Sequence, residues 1–126
     1  MNWTLENVMF EFSGRLIGSQ RMKKTICKTV LSLSPKIIEY VANNIWFIST
    51  PIDAWAFTFR GTDIKGQYLV FLSQGLFKQP GHKIRQTILH EIGHVLLKHK
   101  NSMGFRQTHQ KIDKQEQAAS RFASRY

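Results

Sequence analysis

Apolar positions recur three and four residues apart in four stretches of the chain and follow a shorter period in its middle. From about residue 19 to 33, Met22, Ile26, Val30 and Leu33 share one helical face, with Ser19 placed to cap the first turn. Arg21, Lys24 and Lys28 then lie together on another face. A second helix starts at Ser34-Pro35, where a proline in the first turn loses no needed hydrogen bond. It carries Ile37, Ile38 and Val41 and ends near Asn43-Asn44. The texture then turns to β. Ile45-Trp46-Phe47-Ile48 is apolar and β-prone, residues 54–60 alternate around Trp55, Phe57 and Phe59, and Tyr68-Leu69-Val70-Phe71-Leu72 is a third strand. Residues 50–53 and 61–66 are turn-rich. Three such strands predict a small, mainly antiparallel sheet, with the strand at Tyr68 to Leu72 on its edge and open to an extended peptide by β-addition. Pro80-Gly81 breaks the chain. Ile84, Ile88, Leu89, Ile92, Val95 and Leu96 make a wide apolar stripe over a helix from about 83 to 99. Residues 101–110 read as a loop, and a last helix from about 112 to 125 carries Ala118, Ala119, Phe122 and Ala123. The order of helices, strands and helices predicts an α+β domain.

Composition narrows this picture. A chain of 126 residues, 42% apolar, suits one domain over 1–126 and can bury a core without disulfides. Cys27 is the one cysteine, which excludes an internal disulfide and reads as a packed core residue. Trp3, Trp46 and Trp55 are likewise expected in the core. The first 14 residues lack the basic and apolar regions of a signal peptide, and no apolar run approaches the ~18 residues of a membrane span. A soluble protein of the reducing cytoplasm is expected, with no membrane partner. Lys and Arg number 18 against 8 Asp and Glu, a net charge of +10. The basic residues are spread without a long run, so direct nucleic-acid binding is a secondary reading.

The chemistry lies in His90-Glu91-Ile92-Gly93-His94. Four residues advance a helix by roughly 400°, leaving His90 and His94 about 40° apart on one face, one turn from each other. Their imidazoles can hold one metal ion. Zinc lowers the pKa of its bound water to about 7, and Glu91, beside His90, can take that proton and return it to a leaving amine. With 5 His in the chain, a chance H-E-x-x-H has a probability of about one in a hundred; its place in an amphipathic helix lowers that further.

A catalytic zinc needs a third protein ligand and an open position. Glu116, at the start of the last helix, is the leading candidate, with His109 and His99 as rivals. His99 points roughly 140° away from His94 and suits a helix C-terminus instead. A third histidine six residues beyond His94 is excluded, because that position is Lys100.

The run Gln86-Thr87-Ile88-Leu89-His90-Glu91-Ile92-Gly93-His94-Val95-Leu96-Leu97-Lys98-His99 resembles the zinc helix of the ImmA/IrrE metallopeptidases, a hydrophobic H-E-[LI]-G-H-x-L-L-x-H. Their downstream E-x-E-A-[ND]-x-F-A is met by Glu116-Gln117-Ala118-Ala119-Ser120-Arg121-Phe122-Ala123. The resemblance covers roughly residues 22 to 126. It implies a small zincin-like domain of gluzincin type, with Zn(2+) on His90, His94 and Glu116 and Glu91 as the base. Ala118 and Ser120 depart from the pattern, and Ser120 stands where an Asp or Asn is expected to orient a ligand imidazole. The resemblance further implies cleavage of a specific intracellular protein such as a DNA-binding repressor, often in the setting of a mobile genetic element. A catalytically inactive regulator that binds protein or nucleic acid is the alternative.

Overall fold

The computed structural model describes residues 2–51, 56–60, 67–97 and 109–126, with residues 56–60 and 109–112 described by backbone alone. Five helices and four strands follow one another: α1 (Leu5–Phe12), β1 (Leu16–Ile17), α2 (Gln20–Val30), α3 (Pro35–Asn44), β2 (Ile45–Thr50), β3 (Ala56–Arg60), β4 (Tyr68–Ser73), α4 (Gly81–Leu96) and α5 (His109–Ser124). The α+β class expected from the residue pattern is the class observed.

Local chemistry sets most of the boundaries. Ser19 caps α2, accepting from the Met22 amide at 3.2 Å. Pro35 opens α3 as expected, although the Ser34 side chain makes no cap bond there. α4 begins at Gly81, directly after Pro80, and α5 begins at His109, three residues ahead of the expected start. α1 was not legible from apolar spacing in so short a segment. Its signal is a reciprocal cap: the Thr4 hydroxyl accepts from the Asn7 amide at 3.1 Å, and the Asn7 side chain accepts from the Thr4 amide at 3.2 Å.

The sheet departs from expectation in direction, order and strand number. Its order is β1-β2-β4-β3, with β1 parallel to β2, β2 parallel to β4, and only β3 and β4 antiparallel. It is therefore mainly parallel rather than mainly antiparallel, and the two-residue β1 adds a fourth strand. Alternation identifies strands but carries no information on which neighbour each one chooses. The chain passes from β2 to the far position, forms β3, and returns through β4 into the middle. Tyr68 to Leu72 is consequently an interior strand, hydrogen-bonded on both sides, and cannot accept a peptide by β-addition; the outer positions belong to β1 and β3.

The pairing of β2 with β4 sets Ile45 beside Tyr68, Phe47 beside Val70 and Ser49 beside Leu72. Ile45, Phe47, Tyr68, Val70 and Leu72 are all buried. They join Val8 and Phe12 of α1, Met22 and Ile26 of α2, Val41 of α3 and Ile88 and Ile92 of α4 in one apolar cluster. Phe12 and Phe47 meet edge to face, ring centroids 5.9 Å apart. Cys27 is wholly buried, as expected, and burial pushes its thiol pKa up to about 11. Trp3 packs at the margin of the cluster, and Trp46 is half-buried with its indole N–H donated to Gln67 Oε1. Trp55 lies outside the described residues. α4 is fixed by this core along Ile84, Ile88, Leu89, Ile92 and Val95, which turns its remaining face toward α5.

Candidate metal centre

Beside the apolar stripe, one face of α4 carries Gln86, His90, Gly93 and His94, spaced four, three and one apart. This is the face that α5 covers. Gly93 is buried, and a Cβ placed on it would lie 3.2 Å from the Ala119 Cα and carbonyl oxygen. The two helices cross there at backbone distance. Phe122 and Ala123 of α5 continue the contact into the core.

Three donors converge just beyond this crossing. His90 Nε2 is 2.7 Å from Glu116 Oε2, His94 Nε2 is 3.1 Å from Glu116 Oε1, and the two Nε2 atoms are 3.1 Å apart. In a tetrahedral site with arms of ~2.0–2.1 Å, adjacent donors are about 3.3 Å apart; the two 3.1 Å separations are close to this, while the 2.7 Å one is a hydrogen-bond distance that a small divalent ion would open slightly. Two imidazoles and one carboxylate are also the donor set such an ion prefers. The side chains of His90, His94 and Glu116 retain 22%, 12% and 55% exposure, so the cluster opens to solvent on the Glu116 side. His94 lies in the last turn of α4, where the helix dipole favours positive charge.

His90 has a further partner. Its Nδ1 is 3.2 Å from Ser120 Oγ, one helical turn after Glu116 on α5. With the hydroxyl accepting from Nδ1–H, the Nε2 lone pair is left pointing at the cluster. Glu91, in the same turn as His90, is 6% exposed and contributes no donor to the group of three.

Of the rival ligands, His99 lies outside the described residues, and His109 is described only as the first backbone position of α5. Among the described residues His90, His94 and Glu116 are the cluster able to hold a metal. Two residues that hold α5 in place escaped the sequence reading. Arg85 Nη2 donates to the Tyr126 carbonyl oxygen at 2.7 Å, and Gln86 Nε2 donates to the Ala123 carbonyl oxygen at 3.5 Å. Gln86 was open to discovery, because it precedes His90 by one turn and so shares the face that bears the donors.

Comparison with known families agrees with this geometry. The family model described as the IrrE N-terminal-like domain, a peptidase family, matches residues 42–126. The chain belongs to this family. No curated protein and no solved structure matches it significantly. Within the IrrE-type region lie β2, β3, β4, α4 and α5, hence every residue of the candidate centre; α1, β1, α2 and most of α3 precede it. Membership places the chain among peptidases, whose substrate is a protein, and the group of His90, His94 and Glu116 fits a metal cofactor. No helix among the described residues is long and apolar enough to cross a membrane.

Proposed function

We propose that this chain is a zinc-dependent metalloendopeptidase that cleaves a specific protein in the cytoplasm, with His90, His94 and Glu116 as the metal ligands and Glu91 as the general base. The observation that carries the reading is the meeting of two imidazoles from one helix and a carboxylate from the next at mutual distances of 2.7 to 3.1 Å. The ion supplies Lewis acidity, acidifying water and polarising a carbonyl. The remaining work falls to the protein. Ser120 holds the His90 ring in the tautomer that ligation requires. Glu91, next to His90 on α4 and buried, takes the proton of the attacking water and passes it to the departing amine. β3 is one of the two outer strands of the sheet and packs against α4, so its far edge offers a rail for an extended substrate alongside the helix that carries the two histidines.

The substrate class is taken from the family resemblance: an intracellular regulatory protein, a DNA-binding repressor being the leading candidate. The neutral Ser120 in place of an acid or amide favours one second reading, a protein that keeps the fold as a regulator without cleaving.

Two measurements test the proposal. Elemental analysis of purified protein should find about one zinc per chain. Glu91→Gln should retain that zinc while abolishing cleavage of the candidate substrate. Absence of metal even after zinc is supplied, or full biological activity of Glu91→Gln, would sink the peptidase reading and leave the regulator.

A further inference from the structure

The sequence scatters its cations, but the fold gathers several of them. α2 carries Arg21, Lys23, Lys24 and Lys28 in 11 residues and no acid. Its other side, Met22, Ile26, Cys27 and Val30, is sealed in the core, which fixes Arg21, Lys24 and Lys28 outward, all exposed. Lys78, also exposed, lines one cleft with Arg21, Ser19, Ser49, Gln74 and the apolar Ile17, Met22 and Phe77, so a basic edge continues past the start of α2. Among the described residues none of these cations has a carboxylate partner. The acids near this half of the chain, Glu6, Glu11 and Glu39, sit on α1 and α3 instead.

This arrangement works against the helix. Arg21 and Lys23 occupy the first turn, where the aligned peptide dipoles already present positive charge. Lys24 and Lys28 are one turn apart, a repulsive spacing for like charges. Lys28 sits in the last turn, where the dipole favours it, but nothing within α2 offsets Arg21 and Lys23 at its start or the Lys24–Lys28 repulsion, and a negative partner outside the protein accounts for them. The nature of that partner follows from what the face lacks. A protein interface needs apolar or aromatic anchors at its centre, and a membrane-surface helix needs an apolar face to insert. The outer stripe of α2, Arg21, Lys24 and Lys28, exposes no large apolar side chain; Phe10 and Tyr40 lie on other helices, Leu97 just past the end of α4, and Ile17 and the half-buried Phe77 line the cleft beside the start of α2. A phosphate backbone asks only for spaced cations. Arg21 to Lys28 spans about 10 Å of helix axis, about three base steps of a duplex.

We propose that the outer face of α2, extended by Lys78, docks the chain on duplex nucleic acid through phosphate contacts without reading base sequence. The interaction is separate from the metal centre and does not depend on the peptidase reading.

The test is fluorescence anisotropy of the full chain with two labelled DNA duplexes of unrelated sequence, over sodium chloride from about 50 to 200 mM. Both duplexes should bind equally, and log affinity should fall against log salt with a slope of about −3 to −4, for three to four phosphates neutralised. The triple variant R21Q/K24Q/K28Q should bind at least about tenfold more weakly and flatten the slope by about 3, and K24Q or K28Q alone by about 1. The control triple K36Q/K114Q/R125Q, exposed cations elsewhere with the same loss of charge, should weaken binding by no more than about threefold. The α2 triple should melt no lower than the native chain, since it removes repulsion. The proposal is overturned by absence of binding at the lowest salt, or by equal weakening in both triples, which would mean diffuse attraction to a basic protein. It is overturned too if polyglutamate or phosphatidylserine vesicles bind as tightly as DNA at the same salt.

Discussion

Gly93 of α4 lies against Ala119 of α5 with no room for a side chain between them: a Cβ on residue 93 would meet the Ala119 backbone at 3.2 Å and Phe122 Cδ1 at 3.1 Å. Glu116 is one turn before this crossing and His90 one turn before Gly93, so the separation of the helices there sets how far the carboxylate must reach. Gly93→Ala gains up to ~1 kcal/mol of helix propensity but forces the backbones apart, at ~1–3 kcal/mol for overpacking. A net loss of about 1 kcal/mol is expected in chemical denaturation of the metal-depleted protein. Zinc affinity, measured by competition with a chromogenic chelator, should fall about tenfold as Glu116 is carried away. Unchanged affinity would show that the crossing distance does not govern the centre.

Glu116 separates metal binding from folding. Its side chain is 55% exposed, so Glu116→Ala should shift the stability of the metal-depleted protein by no more than ~0.5 kcal/mol. The native chain should gain about 2.7 kcal/mol when zinc is a hundredfold above its dissociation constant, and the variant much less at the same concentration. Thermal melts with graded zinc and with EDTA make the comparison. Equal stabilisation of both proteins would remove Glu116 from the ligand set.

Ser120 sets the strength of the grip on His90. A carboxylate at that place would accept from Nδ1–H more strongly than the hydroxyl does and raise the basicity of Nε2. Ser120→Asp is therefore expected to tighten zinc binding, and Ser120→Ala to loosen it, each by ~10-fold or more. Chelator competition on both variants gives the order, and a Ser120→Ala protein that binds as tightly as the native one would discard this role.

Cys27 offers a prediction in pH. Its thiol stays neutral in the fold up to about pH 11, against a reference of 9.0, because it is buried. Between those values the unfolded chain releases a proton that the folded chain keeps, so stability falls as pH rises, by ~1.4 kcal/mol per unit and up to ~3 kcal/mol in all. Urea unfolding at pH 8, 9 and 10 should show this decline in the native chain. Cys27→Ala, less stable at pH 8, should decline by about that much less; parallel curves would mean that the thiol ionises alike in both states.

Sequence made the metal centre more legible than the sheet around it. His90 and His94 are fixed relative to each other by helix geometry alone, and Glu116 needed only a helix that returns along α4. Period-two alternation found β2, β3 and β4 but placed β4 at an edge, because pairing is settled by contacts far apart in sequence, such as Phe47 with Val70. α1 stayed hidden since eight residues give too few turns for a period, and its Thr4–Asn7 cap is a quieter mark than Ser19. The gathering of Arg21 and Lys78 at one cleft depends on where β1 and β4 end, which no local pattern records.

The central place of β4 also dictates what the growing chain must endure on the ribosome. β2 emerges with β1 available on one side, but the strand that follows it, β3, is not its neighbour. The other side of Ile45-Trp46-Phe47-Ile48 stays unsatisfied until Tyr68 to Ser73 has been synthesised. Until that segment has also left the ribosome, a bare apolar strand edge is on offer to any other nascent chain.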